Sequence, residues 1–551
     1  MLGKAAIAQI LQREGVSVLT AFPDNAVIDA AAALDIRPII TRTERVAVNI
    51  ADGYSRISDG RKIGVCALQY AAGVENAFAG IAQAYGDASP VLLLPSGYER
   101  HEQGVPPNFQ ATLGLREVTK WQGYATHAAR LPQLLQTAFT QLRSGKPGPV
   151  LVETPTDVMD EALPDGDFPY LPTRRLRSAG DPHDVRELAE AILRARAPVI
   201  VAGQGVFFAQ ACAELRELAE LLAIPVLTTL NGKSAFPEQH PLALGTGGRS
   251  RPHTVDHFLD RADLVIGIGT SFTRSTYTVA MPPTATLAQI TNAPEDVNKD
   301  YTVAYGVLGD AKLVLRQLID QLAALGIADV RWERDEVIRT IHAVRDQFMR
   351  EWLPRLTANT RPISPYRVIW DLMHTLDRRR AIVTHDSGNP RDQMLPFFEA
   401  TTPHGYIGWG KTTQLGSGLG LAMGARLAAP DRFAVNLMGD AAFGMVGLDF
   451  ETAVRCHIPI LTVVMNNGLM GGYQKFLPLS SEKYGARFLT GDFSRVADAL
   501  GGYTERVERP EDLVPALTRC IAEVDAGRAT LLEVITCEEP VLALGPSSRY
   551  Q

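Results

Sequence analysis

The stretch from Phe433 to Asn467, FAVNLMGDAAFGMVGLDFETAVRCHIPILTVVMNN, limits what this chain can fold into more than any other. Two short apolar runs, Phe433 to Met438 and Ile458 to Met465, flank a segment from Phe443 to Cys456 whose apolar residues recur at helical spacing, the pattern of a strand–helix–strand unit. If the strands lie parallel, Gly439-Asp440 and Asn466-Asn467 meet at their carboxyl ends, where open α/β sheets bind ligands. A carboxylate, an amide oxygen and a main-chain carbonyl exposed by the turn at Gly468 are hard oxygen ligands of the kind Mg²⁺ takes, with phosphate oxygens and water completing the octahedron. Gly-Asp and Asn-Asn are also ordinary turn dipeptides, and the stretch alone does not separate the two readings.

The same alternation of strand and helix fills the rest of the chain, which implies parallel sheets covered on both faces. With 551 residues, 46% of them hydrophobic, the chain is too long for one core and long enough for three. Residues 1–165 read as a first domain. A Pro-, Asp- and Arg-rich linker is expected from Thr154 to about Pro182. Residues 183–325 form a middle domain, a charged amphipathic helix follows from Val330 to Leu356, and a third domain spans 364–545. A net charge of -7 offers no polyanion-binding surface, so no nucleic-acid partner is expected. The five cysteines show no metal or redox spacing and read as buried thiols. With no uninterrupted apolar stretch of spanning length, the expectation is a cytoplasmic enzyme with no membrane segment.

Several turns carry candidate chemistry. The pattern ERVAVNIADGYSRISDG places Glu44 in the first turn of a helix, where the dipole alone favours a carboxylate. Asp24 and Asn25 follow the first strand, Gln69 and Tyr70 a later one, and Phe109-Gln110 interrupts a polar loop. Strand Ala381 to Thr384 ends at His385-Asp386-Ser387-Gly388-Asn389. Gly416-Ser417-Gly418-Leu419-Gly420 opens a helix of small residues. Its glycines suit either an anion at the helix amino terminus or tight helix–helix packing. Gly267-Ile268-Gly269 lacks the third glycine of a dinucleotide fingerprint and reads as a strand-end turn.

Together these segments resemble the thiamine-diphosphate-dependent 2-oxo acid decarboxylase and carboligase superfamily, in a layout like that of the acetolactate synthase large (catalytic) subunit. Thr43 to Arg56 looks like the family's glutamate-containing helix. Gly439-Asp440 to Asn466-Asn467 looks like its diphosphate–metal motif, with Ala441 where Gly is usual. Phe109-Gln110 and Val118-Thr119-Lys120-Trp121 match a Phe-Gln … Val-Thr-Lys-Trp pattern. The resemblance covers nearly the whole chain and implies an α/β fold of three doubly wound parallel-sheet domains: pyrimidine-binding, middle and diphosphate-binding. By this resemblance Glu44 hydrogen-bonds the cofactor's aminopyrimidine and promotes its imino tautomer. Asp440, the Asn467 side chain and the Leu469 carbonyl hold Mg²⁺. Gly388, Asn389, Gly439, Ala441 and Ala442 line the cofactor, and Leu415 supports its bent conformation.

The implied reaction is decarboxylation of a small 2-oxo acid such as pyruvate, with ligation of the acyl unit to a second carbonyl compound. The alternatives are a thiamine-diphosphate-dependent lyase or hydrolase of a 2-hydroxyacyl thioester or 1,2-diketone, and a catalytically silent cofactor-binding partner. The implied assembly is a homodimer or homotetramer with active sites at the subunit interface. FAD, bound on the middle domain by some members, is an alternative rather than the expectation, because Gly269-Thr270-Ser271-Phe272-Thr273-Arg274 matches theirs only in part. The chain departs from acetolactate synthases at Pro23-Asp24-Asn25 and Ala71-Ala72-Gly73, so Asn25 and Gln110, with Asp24, Gln69 and Tyr70, are the candidates for shaping the substrate pocket.

Overall fold

The computed structural model describes residues 1–163, 168–325 and 333–545. The expected boundary at 165 and the first residues of the charged helix, Val330 to Trp332, lie outside them. Three six-stranded sheets, all parallel, are covered by helices, the α/β architecture expected from the sequence. From edge to edge the first sheet contains Arg37–Ile40, Val18–Ala21, Gly64–Leu68, Val91–Gly97, Val150–Pro155 and Trp121–Tyr124. The third contains Tyr406–Ile407, Ala381–His385, Phe433–Gly439, Ile460–Asn466, Thr530–Ile535 and Tyr503–Val507. Numbered along the chain within each sheet, both have the order 2-1-3-4-6-5. The middle sheet instead has the order 3-2-1-4-5-6, the doubly wound arrangement of dinucleotide-binding folds. Each sheet therefore has a switch point, where successive connections leave in opposite directions and a crevice opens beyond the strand ends.

The strands are buried on both faces and read as continuous apolar runs, with Gly64–Leu68 and Pro198–Ala202 buried throughout. Short edge strands such as Trp121–Tyr124 and Tyr406–Ile407 were not expected, because too few apolar residues mark them. The linker also starts later than expected. Val150–Pro155 continues the first sheet and a short helix, Thr156–Asp160, follows. The charged helix, Arg334–Leu356, joins two cores: Ile341 packs with middle-domain residues, while Phe348, Trp352 and Leu356 enter the third core.

The first and third domains meet along two helices, Glu44–Ile57 and Ser417–Ala428, whose backbones come into contact. A Cβ on Gly424 would lie 2.1 Å from the Ile50 carbonyl oxygen, one on Gly53 2.4 Å from that of Leu421, and one on Gly420 2.5 Å from Asn49 Cβ. Tight packing thus accounts for the helical glycines at 420 and 424. Around this crossing Ile39, Val46 and Ile50 share one apolar cluster with Leu419, Met423, Met438 and Phe443. The helix expected from Phe443 to Cys456 starts earlier and is interrupted, running as Asp440–Val446, a 3₁₀ turn Gly447–Asp449 and Phe450–Arg455. The interruption has local causes. Gly447 lies under the Phe443 ring, and Asp449 turns its carboxylate to the first domain.

Candidate active site

The third sheet's switch point lies between the ends of Ala381–His385 and Phe433–Gly439. Its neighbour Ile460–Asn466 pairs in parallel with Phe433–Gly439, and Gly439 stands opposite Met465. Asp440 and Asn467 therefore leave adjacent strand ends side by side. Asp440 is 4% exposed; its Oδ1 accepts the Ala441 N–H at 2.8 Å and its Oδ2 the Gly468 N–H at 2.8 Å. Burial raises the Asp440 carboxyl above its ordinary value and these N–H donors pull it back. Asn467 Oδ1 accepts the Leu469 N–H at 3.0 Å, and the Leu469 carbonyl accepts no hydrogen bond among the described residues. Each carboxylate oxygen of Asp440 keeps a lone pair. With Asn467 Oδ1 and the Leu469 carbonyl, the set consists of hard oxygens that fit Mg²⁺.

Asn389 and Asn467 gather around Gly471, their amide nitrogens 3.0 and 4.0 Å from where a Cβ would stand. Gly388, at a φ of 83°, has open space where a side chain would project. Gly439 is the last residue of its strand. Ala441 is half-buried, whereas the Ala442 methyl group lies in the core beside Phe443, so Ala442 can offer a ligand only its backbone. Leu415 packs against the same cluster. The amino terminus of the helix Ser417–Ala428, whose glycines suited either phosphate or tight helix packing by sequence, already holds an anion of the protein itself. Asp386 accepts the Gly416 N–H at 2.8 Å and the Gly418 N–H at 3.0 Å. Burial pushes the Asp386 carboxyl up to about 6 in spite of these donors and that of Ser387. Beside it His385 is buried and drawn down to about 3, a neutral ring that donates from Nδ1 to the Asp386 carbonyl at 3.0 Å.

In the first domain Glu44 begins its helix and is 4% exposed. Its Oε1 lies 3.4 Å from the place a Gly73 Cβ would take, and among the described residues its carboxylate has no hydrogen-bond or ion-pair partner. Its chain neighbours do have partners in the third domain. The Arg42 N–H donates to Asp449 Oδ1 at 2.7 Å, the Thr43 hydroxyl donates to Asp449 Oδ2 at 2.9 Å, and Arg45 donates to the Leu415 carbonyl. The backbone on both sides of Glu44 is thus anchored while its carboxylate stays open to a ligand. Arg45, Asp386 and Asp449 were not singled out from the sequence. For Arg45 the only signal was a charge next to a candidate at a helix start, where charges are common.

The candidate substrate residues divide. Asn25 is buried and its side chain is committed to the scaffold: Nδ2 donates to the carbonyls of Leu68 and Leu94 at 2.9 Å each, and Oδ1 accepts the Val27 N–H at 3.0 Å. Asp24, exposed at a φ of 85°, accepts from Gln69 Nε2 at 3.1 Å, and Gln69 Cβ in turn borders Gly73 beside Glu44. Tyr70 packs on Tyr98 with ring centroids 4.7 Å apart. Gln110 precedes a short helix and donates to Gln103 at 2.9 Å. At the middle sheet's switch point a solvent-open cleft of about 1100 Å³ is lined by Gln204, Thr270, Phe272, Tyr277 and Lys411. Its glycines Gly203, Gly205 and Gly269 press backbone against backbone, so loop packing accounts for them. No helix among the described residues is long and apolar enough to cross a membrane.

Three family models match in order: the N-terminal thiamine-pyrophosphate-binding domain of thiamine pyrophosphate enzymes over residues 1–122, their central domain over 185–318 and their C-terminal thiamine-pyrophosphate-binding domain over 386–534. A probable acetolactate synthase large subunit of Methanocaldococcus jannaschii is 30% identical, with 99% of this chain and 94% of that protein aligned. The isozyme 3 large subunit of acetolactate synthase from Escherichia coli is 27% identical over 97% of this chain and 94% of its own length. A sulfoacetaldehyde acetyltransferase of Alcaligenes xylosoxydans is 29% identical over 94% and 90%. These matches show that the chain belongs to the family of thiamine-diphosphate-dependent enzymes and is similar along its whole length to acetolactate synthase large subunits.

Proposed function

We propose that the protein decarboxylates a small 2-oxo acid, such as pyruvate, and ligates the acyl unit to a second carbonyl compound. The observation that carries this reading is Glu44, a carboxylate almost fully buried and without a partner, on a helix start fixed on both sides. Its oxygens are not among the buried polar atoms cut off from solvent, so the carboxylate is free for a ligand to bond. In this reading Glu44 shares a proton with a ring nitrogen of the cofactor. Asp440, Asn467 and the Leu469 carbonyl hold Mg²⁺ against the diphosphate, and Gly388, Asn389, Gly439, Ala441 and the Ala442 backbone surround it. Leu415 supports the bent arrangement of the two rings. When bound, thiamine diphosphate supplies the electron sink that loss of CO₂ from a 2-oxo acid requires. The protein's part would be to orient that group and present the Glu44 carboxylate to its ring nitrogen. FAD is not part of the proposal.

The working unit is proposed to be a homodimer or homotetramer with active sites at the subunit interface. Apolar side chains stand exposed beside both halves of the site, Phe78 and Tyr85 on the helix Ala72–Gly86 and Met445 and Leu448 after Asp440. A second copy of the chain would cover them. The test is incubation with thiamine diphosphate, Mg²⁺ and a panel of 2-oxo acids, measuring CO₂ and ligation products, with light scattering for the mass in solution. Release of CO₂ with a ligated product is the expected result. An absence of CO₂ from every acid would remove the proposal.

A further inference from the structure

The Leu415–Gly416 peptide is held at both poles by charged side chains from different domains. Its carbonyl oxygen, on Leu415, accepts from Arg45 Nη2 on the first domain's helix. Its N–H, on Gly416, donates to Asp386 Oδ1 at 2.8 Å, from the turn after Ala381–His385. The charges match the peptide dipole, with the guanidinium at the negative end and the carboxylate at the positive end, and both bonds are charge-assisted. Asp386 is fully buried and its other oxygen takes the Gly418 N–H at 3.0 Å, so its carboxylate spans the turn and the start of the following helix. Gly416 has a φ of 93°, and a Cβ there would come within 2.7 Å of Val446 Cγ1. The peptide thus has no free pole and little room on that side.

We propose that Arg45 and Asp386 are positioning residues for Leu415, clamping the Leu415–Gly416 peptide so that the Leu415 side chain keeps the cofactor's rings bent toward each other. The inference rests on the function proposed above, in which Leu415 has that role. A clamp of this kind acts on geometry rather than on affinity. In that function the diphosphate and metal would be held elsewhere, by Asp440 and Asn467, so loosening the clamp would leave binding in place and misplace the reacting atoms.

The test uses Asp386→Asn, Arg45→Gln and Arg45→Lys in the full-length protein, with two readouts. In the cofactor-free protein, hydrogen exchange at the Gly416 amide is expected to lose protection in Asp386→Asn. In the loaded protein, exchange of the thiazolium C2 hydrogen, followed by NMR after acid quench, is expected to slow by about 10²-fold in Asp386→Asn and Arg45→Gln, the usual cost of misplacing reacting groups by an ångström. Thiamine diphosphate affinity by calorimetry is expected to stay near the parent's. Arg45→Lys is expected to recover part of the rate, since a single ammonium still reaches the carbonyl. C2 exchange at the parent rate in both neutralised variants would overturn the clamp, as would an affinity loss matching the loss of exchange or full protection of Gly416 in Asp386→Asn. If the parent protein itself fails to accelerate C2 exchange over free cofactor, the function proposed above fails and the clamp with it.

Discussion

The first and third domains share one strand order, 2-1-3-4-6-5, yet they use the crevice at its switch point differently. In the third domain the polar groups at the strand ends are Asp386, Asp440 and Asn467. Asp440 and Asn467 bind backbone N–H groups at their own strand ends while retaining capacity for a ligand, whereas Asp386 is fully buried and committed to the N–H groups of Ser387, Gly416 and Gly418. In the first domain the corresponding ends carry Asn25, whose side chain is spent on neighbouring carbonyls, and Gln69, which reaches Asp24. Among the described residues there, the buried carboxylate without a partner, Glu44, comes from a helix start. A shared topology fixes where a crevice opens; the residues at its rim decide whether it grips charge or holds a proton.

That contrast predicts separable losses. Glu44→Gln should lower turnover by about 10³-fold with the cofactor still bound, within the range for removing a general acid–base group. Steady-state rates beside calorimetry measure both, and full activity in this variant would dissolve the distinction between the two regions. Asp440→Ala should instead weaken Mg²⁺-dependent cofactor binding by about 10²-fold, as when one partner of a buried charged contact is truncated. Titration with and without a chelator reads it. At the boundary, Gly424→Val places atoms against the Ile50 carbonyl and should cost about 1–3 kcal/mol, seen as a lower melting temperature. Asn25→Ala strips the Leu68 and Leu94 carbonyls of their shared donor and should cost about 1–3 kcal/mol by denaturant unfolding. A change confined to product distribution would return Asn25 to the substrate pocket.

The smallest effect concerns pH. Asp386 titrates near 6 when folded, above its ordinary 3.8, because burial disfavours its charge. The groups facing it are the Arg45 guanidinium and the N–H donors of Ser387, Gly416 and Gly418. With the folded value raised, the native state binds the proton more tightly than the unfolded chain. This group therefore adds stability as pH falls from about 6 toward 3.8 and withdraws it as pH rises again. Turnover should move the opposite way, declining below about pH 6 as protonation removes an acceptor from the turn. In Asp386→Asn that inflection should be missing from the pH–rate profile.

Much of this was legible in the sequence, for physical reasons. Buried parallel strands are apolar runs and the crossover helices have their own period, so the α/β class follows from the alternation along the chain, and the meeting of Asp440 with Asn467 follows once the strands are parallel. Strand order was not legible, because a 2-1-3-4-6-5 sheet and a 3-2-1-4-5-6 sheet are built from the same local units. Nor was the role of the glycines near 416. The pattern allowed phosphate or packing, and the structure gives the helix start to Asp386 and places Gly420 and Gly424 against the neighbouring helix. Arg45 and Asp449 were hidden because their partners lie hundreds of residues away in the chain.

The crossing of Glu44–Ile57 and Ser417–Ala428 has a mechanical consequence. Where side chains separate two helices, changes of rotamer act as a lubricating layer and let one helix slide over the other. Here Gly53, Gly420 and Gly424 remove that layer, and the joint between the domains is stiff. Compliance must then come from elsewhere. The segment from Gly468 to Gly491 exposes Tyr473, Phe476 and Tyr484, and Glu538 braces it through Arg487 and the Gly472 N–H.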